Sequence, residues 1–154
     1  KKIMNKSQDS FISSTMWTDK IGFSASIKTL EYMKKNKIQK KIIKIGKLIK
    51  KFWRDSSKKH KIKILISGQD SMPYLTFDYK NNLEISTYFT QEMLKRGFLA
   101  SNLVSVTEAY NDQVLKKYKI NFNNVMIKIS KLLLKGEKFP LMGPIKHSTF
   151  RRLT

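Results

Sequence analysis

The 154-residue chain is long enough for one packed domain, and its 40% hydrophobic content sets it apart from a disordered tail. It has no cysteine and two distant imidazoles, His60 and His147, which excludes disulfides, iron–sulfur clusters and thiolate zinc sites and leaves no basis for a histidine metal site. No apolar run approaches the roughly 18 residues that a bilayer-spanning helix needs, so the expected setting is cytoplasmic, with no membrane partner.

In chain order, Ser13-Ser14-Thr15-Met16-Trp17-Thr18 reads as a hydroxyl-rich loop that opens a helix, with Asp19 as its N-cap and Lys20 in the first turn. Hydroxyls and unpaired backbone N–H groups at a helix entry suit a phosphate, although Ser and Thr also populate ordinary turns by bonding their own backbone. Phe23, Ile27, Leu30 and Met33 form one apolar stripe, which predicts a helix over 22–35. Asn36-Lys37 breaks it. Ile38, Ile42, Ile45, Ile49 and Phe52 predict a second amphipathic helix, ended by Asp55-Ser56-Ser57. Gly46 costs that helix about 1 kcal/mol against alanine, which marks a close approach by another part of the chain.

Ile62, Ile64 and Ile66 alternate with Lys63 and Leu65 and read as a strand. Ser67-Gly68-Gln69-Asp70-Ser71 is a turn, and Pro73 opens a second strand with Leu75, Phe77 and Tyr79 on one face. Ile85, Phe89 and Met93 mark a third helix closed by Gly97, and residues 98–99 and 103–106 read as short strands. Asn111 caps a last long helix whose stripe is Val114, Tyr118, Val125, Ile129 and Leu132, ended by Gly136. The tail beyond Pro140 has no periodicity. Two helices, two strands, a helix, short strands and a helix predict an α+β fold, with helices on one face of a small, mostly antiparallel sheet.

The net charge of +21 admits a small lysine-rich nucleic-acid-binding module as one reading. Against it, only Arg54, Arg96, Arg151 and Arg152 are arginine, the usual reader of bases and phosphates. The lysines are spread through every predicted helix, as a solvated face would have them, so no specific nucleic-acid partner is expected.

Four segments carry a family resemblance. Ser14-Thr15-Met16-Trp17-Thr18-Asp19 resembles the Ser-Thr-aromatic-Gly-Gly-Asn-Pro loop of class III aminotransferases, which use pyridoxal phosphate. Ser67-Gly68-Gln69-Asp70-Ser71-Met72-Pro73-Tyr74-Leu75-Thr76-Phe77 continues it, and Phe89-Thr90-Gln91-Glu92-Met93-Leu94-Lys95-Arg96-Gly97 is similar to a helix end of the glutamate-1-semialdehyde aminomutase branch. Ala109-Tyr110-Asn111-Asp112 stands where many relatives carry Ala-His-Thr-Asp. Trp17-Thr18-Asp19-Lys20 departs from the family's Gly-Gly-Asn-Pro.

The resemblance implies the small C-terminal domain of a fold-type I pyridoxal-phosphate enzyme over 21–154, with 1–20 as the edge of the large domain. It implies an amino-group transfer on a small amino, keto or semialdehyde substrate, in a homodimer. Thr15 matches the threonine that reaches the cofactor phosphate of the neighbouring subunit, and Ser14 is a second donor. The Schiff-base lysine is expected upstream, so this stretch alone would be inactive. Trp17 is open to two roles, lining the active-site mouth or anchoring the dimer. Arg96 is likewise open to a substrate carboxylate or to the C-terminal dipole of its own helix. A noncatalytic relative that keeps the fold as a structural partner is the remaining alternative.

Overall fold

The computed structural model describes residues 19–147. Its elements are α1 (Lys20–Lys35), α2 (Ile38–Lys59), β1 (Ile64–Ser67), β2 (Tyr74–Phe77), α3 (Asn82–Leu94) and α4 (Asp112–Lys135), an α+β arrangement. The chain divides into two compact units, residues 1–38 and 39–154.

In the first unit, Asp19 caps α1 by accepting from the Ile21 amide at 3.0 Å. The helix ends as the sequence predicts: Asn36 bonds back to the Tyr32 carbonyl through its backbone and side-chain nitrogens, and Lys37 turns left-handed at φ 52°. The apolar stripe is real in spacing, but Phe23, Ile27 and Leu30 are exposed, and no residue of α1 is buried.

The second unit is built on an antiparallel β1–β2 ribbon with Ile64 opposite Phe77 and Ser67 opposite Tyr74. Leu75 and Phe77 are fully buried, Ile64 and Ile66 half-buried, and Leu65 and Ser67 exposed, so one face of the ribbon carries the helices. Ile49 and Trp53 of α2, Ile85, Phe89 and Met93 of α3, and Phe122, Val125, Met126 and Ile129 of α4 meet there in one core. Phe89 stands edge-on to Phe122, with centroids 5.7 Å apart, and tilts against Phe77 at 5.9 Å. Burying each such side chain contributes about 1.5–3 kcal/mol, which favours this closure over an open ribbon.

Gly46 is required by packing. A Cβ there would collide with the Asp70 backbone carbonyl, so α2 and the turn after β1 touch main chain to main chain. Lys50, one turn further along α2, fastens the same contact by donating to the Gly68 carbonyl and the Asp70 carboxylate, both at 2.8 Å. That bond, ahead of other nearby cations, holds Asp70 below the ordinary carboxylate range. Asn111 caps α4 by accepting from the Val114 amide at 2.9 Å, and Gly136 ends it at φ 65°.

Three expectations need correction. Helix α2 runs through Asp55-Ser56-Ser57 to Lys59, because both serines are buried and bonded: Ser57 Oγ donates to the Arg54 carbonyl at 2.9 Å, and Ser56 Oγ donates to Asn123 Oδ1 at 3.3 Å. Strand β2 stops at Phe77, before Tyr79, whose hydroxyl accepts instead from the Lys63 amide at 3.0 Å. Residues 98–99 and 103–106 form no strand, although the latter run antiparallel beside β2 with a single bridge, Tyr74 to Leu103.

The reason for that missing strand is chemical. Val104 and Val106 donate to the Pro73 and Ser71 carbonyls at 3.1 and 3.0 Å, and Leu75 donates to Asn102 at 2.8 Å. Pro73 has no N–H to return, and the Leu75 carbonyl is taken at 2.6 Å by the Asn102 side-chain amide. The ladder is therefore one-sided. Proline and an asparagine side chain replace two of the reciprocal bonds a regular strand would need.

Candidate functional site

Ser14, Thr15 and Trp17 lie outside the described residues. Arg96 and Tyr110 fall within the second unit. Arg96 is turned onto its own helix: one guanidinium nitrogen donates to the Glu92 carbonyl at 2.6 Å and to the Glu92 carboxylate at 3.0 Å. Lys95 and, from α4, Lys128 reach the same carboxylate at 3.1 and 2.7 Å. Glu92 is buried, and desolvation alone would raise its pKa, but the bonds from Lys128, Lys95 and Arg96 together hold it down at about 2. This cluster joins two helices, and its geometry is that of a structural clamp.

Tyr110, at the position where many relatives carry histidine, donates its hydroxyl to the Ser105 carbonyl at 3.2 Å. It borders a cleft of about 320 Å³ between the 98–105 segment, α2 and the start of α4, also lined by Ile49, Leu103, Val104 and Tyr118. Among the described residues that line it, none is charged. Such a cleft can receive an apolar group and offers Tyr110 and Ser105 as polar contacts; it supplies neither an acid nor a base at neutral pH. Below it, Trp53 donates to the Tyr118 hydroxyl at 2.9 Å, and burial pushes that phenol well above its ordinary pKa.

A second polar group surrounds Asn102. Its amide nitrogen donates to the Leu75 carbonyl and to Ser86 Oγ, at 2.6 and 3.2 Å, while Lys146 donates to its oxygen. Burial lowers the pKa of Lys146. No sequence signal pointed to this pair, because one lysine in an aperiodic tail is indistinguishable from the other lysines of so basic a chain.

A solved structure shares this fold. The FumI protein of Sphingopyxis sp. MTA144, in its pyridoxal-phosphate internal aldimine form, matches with a TM-score of 0.74 and 15% identity over 89% of this chain. The matched region is 34% of that protein, so this chain spans about a third of its length. Neither a family model nor a curated protein matches the sequence. The likeness establishes the α+β fold as one that occurs within a larger enzyme containing pyridoxal phosphate.

Among the described residues there is no cluster of His, Cys, Asp or Glu able to hold a metal, and no helix long and apolar enough to cross a membrane.

Proposed function

We propose that this chain is the small-domain part of a pyridoxal-phosphate enzyme that moves an amino group. The specific reading is a class III aminotransferase closest to the glutamate-1-semialdehyde aminomutase branch. The supporting observation is the shared fold: 89% of the chain superimposes on part of a protein whose solved form contains pyridoxal phosphate. The sequence also carries the four resembling segments in order.

Residues 21–154 are then the small C-terminal domain and residues 1–20 the edge of the large one. The donor set of Ser14 and Thr15 suits a cofactor phosphate, since a hydroxyl and a backbone N–H donate to a dianion without adding a titrating group. When bound, the cofactor supplies the electron sink that stabilises a carbanion at the amino-bearing carbon. This chain's part is to hold the phosphate through Thr15 and Ser14, across the interface of a cytoplasmic homodimer, and to wall the site with the small domain. The lysine that anchors the cofactor belongs to upstream sequence. The substrate is a small amino, keto or semialdehyde compound.

The test is purification of the protein encoded by the complete reading frame from cells supplied with pyridoxal. The expected outcome is a dimer by light scattering whose visible cofactor absorbance survives dialysis and changes on addition of amino donors. A folded dimer without cofactor would overturn the enzyme reading in favour of a structural relative.

A further inference from the structure

The chain from Phe139 to Lys146 is strapped to α3. Phe139 packs on Tyr88 with ring centroids 5.3 Å apart, and Gln91 donates to the Pro140 carbonyl at 3.0 Å and accepts from the Met142 amide at 2.7 Å. The Lys146 amide donates to Thr87 Oγ1 at 3.1 Å, which fixes the backbone from which the Lys146 side chain reaches Asn102.

The orientation of Asn102 is dictated by chemistry. Its partner at Leu75 is a carbonyl, which only accepts, so the amide nitrogen must face Leu75 and the oxygen must face Lys146. The amide oxygen of Asn102 carries no formal charge, so unlike a carboxylate it gives Lys146 no ion pair to offset the loss of water. The titratable groups of the neighbouring elements are Tyr74 on β2, Glu84, Tyr88 and Glu92 on α3, and Glu137, Lys138 and His147 in the tail. Among these described residues, none forms an ion pair with Lys146. Glu84 bonds the Asn81 side chain and the Phe139 amide, and Glu92 is held by its three cations. Burial of the stem withdraws water from the ammonium, while the residue as a whole is only partly buried.

We propose that Lys146 is a nucleophilic lysine and a site of covalent modification by small aldehydes. The amine lone pair attacks the carbonyl carbon, the carbonyl oxygen takes up protons and leaves as water, and a carbon–nitrogen double bond remains. Neither oxidant nor reductant is consumed. The protonated imine keeps an N–H, which donates to Asn102 Oδ1, so Asn102 is the positioning residue. This inference stands apart from the amino-transfer reading, because it uses only residues of the folded second unit.

The probe is limiting acetaldehyde with cyanoborohydride as the hydride source that traps the imine, followed by peptide mapping of the full-length protein. Near neutral pH, Lys146 is expected to be ethylated several-fold faster than the exposed Lys58. That preference should shrink as pH rises through 10.5, the ordinary lysine value, as exposed amines also lose their protons. Asn102→Asp places a carboxylate at the amine and should abolish the preference; where that variant does not fold, the pH profile of the parent protein carries the test. Labelling of Lys146 at or below the rate of Lys58 at neutral pH would overturn the proposal.

Discussion

Lys128 of α4 ion-pairs with Glu92 of α3 at 2.7 Å, and this is the charged contact that ties the two packed helices across the core. Arg96 and Lys95 close the remaining sides of the same buried carboxylate. A lone buried charge is strongly unfavourable, so the arrangement stabilises the fold only while the carboxylate and its cations are all charged.

That condition sets a pH dependence. The folded pKa of Glu92 is about 2, below its ordinary 4.5, so its stabilisation is fully present above pH 4.5 and is lost as pH falls towards 2. Linkage sets an upper bound of about 3.4 kcal/mol, and because Lys95 and Lys128 are half in water the contribution is about 2–3 kcal/mol. Glu92→Gln should lower stability by that amount at pH 7. At pH 3 its deficit should be distinctly smaller, as read by urea denaturation at both values.

Gly46→Ala should reverse the usual sign of a helix substitution. In an open helix the change gains about 1 kcal/mol. Here the new methyl meets the Asp70 carbonyl, which a main-chain shift must relieve, and overpacking of this kind costs about 1–3 kcal/mol. The expected result is a lower urea midpoint with the denaturant slope unchanged. A rise in midpoint would show that α2 and the turn separate freely.

Tyr118→Phe removes the acceptor of the buried Trp53 N–H and should cost about 1–3 kcal/mol. The parent phenol, raised by burial, should ionise only when the protein unfolds in alkali. Ultraviolet absorbance and far-ultraviolet circular dichroism followed in one pH titration check both statements.

Thr15→Ala in the full-length protein should weaken cofactor retention while leaving the dimer intact. Losing a hydrogen bond to a charged phosphate costs about 1.5–3 kcal/mol, or about ten- to a hundredfold in affinity. Cofactor absorbance after dialysis and light scattering read the two effects separately. Unchanged retention would make Thr15 an ordinary turn residue.

A chain of charge +21 should also attract polyanions. Arg54, Lys58, Lys61 and Lys63 line a shallow groove beside β1, with Asp78 as its one acidic member among the described residues. Binding to unrelated duplexes of equal length should be alike, and should fall steeply as salt rises. Sequence-selective binding that survives physiological salt would revive the nucleic-acid reading.

Much of the fold is legible in the sequence because the apolar spacing of each helix is uninterrupted and its punctuation is local. Asp19, Asn111 and Gly136 act within one turn of their helices, and Gly46 betrays its close approach by sitting where alanine would serve a helix better. What stays hidden depends on partners distant in sequence. Ser56 looks like part of a helix stop until Asn123, far along the chain, satisfies its hydroxyl. The 103–106 segment has a strand's composition, and its pairing with Pro73 and the Asn102 side chain on the Leu75 carbonyl deny it a full ladder. Lys146 and Asn102 are 44 residues apart and belong to segments without periodicity, so nothing local links them.

The side-chain amide of Asn102 has one more effect, on the company this protein keeps. Exposed sheet edges recruit other chains by offering a row of free carbonyls and amides. On the β2 side that row is spoiled: Pro73 offers no amide, the Leu75 carbonyl is occupied by a side chain, and an irregular segment lies over both. A ribbon of two strands in so lysine-rich a chain is thereby shielded from edge-to-edge growth on that flank. Asn102 thus occupies an acceptor that an incoming strand would need.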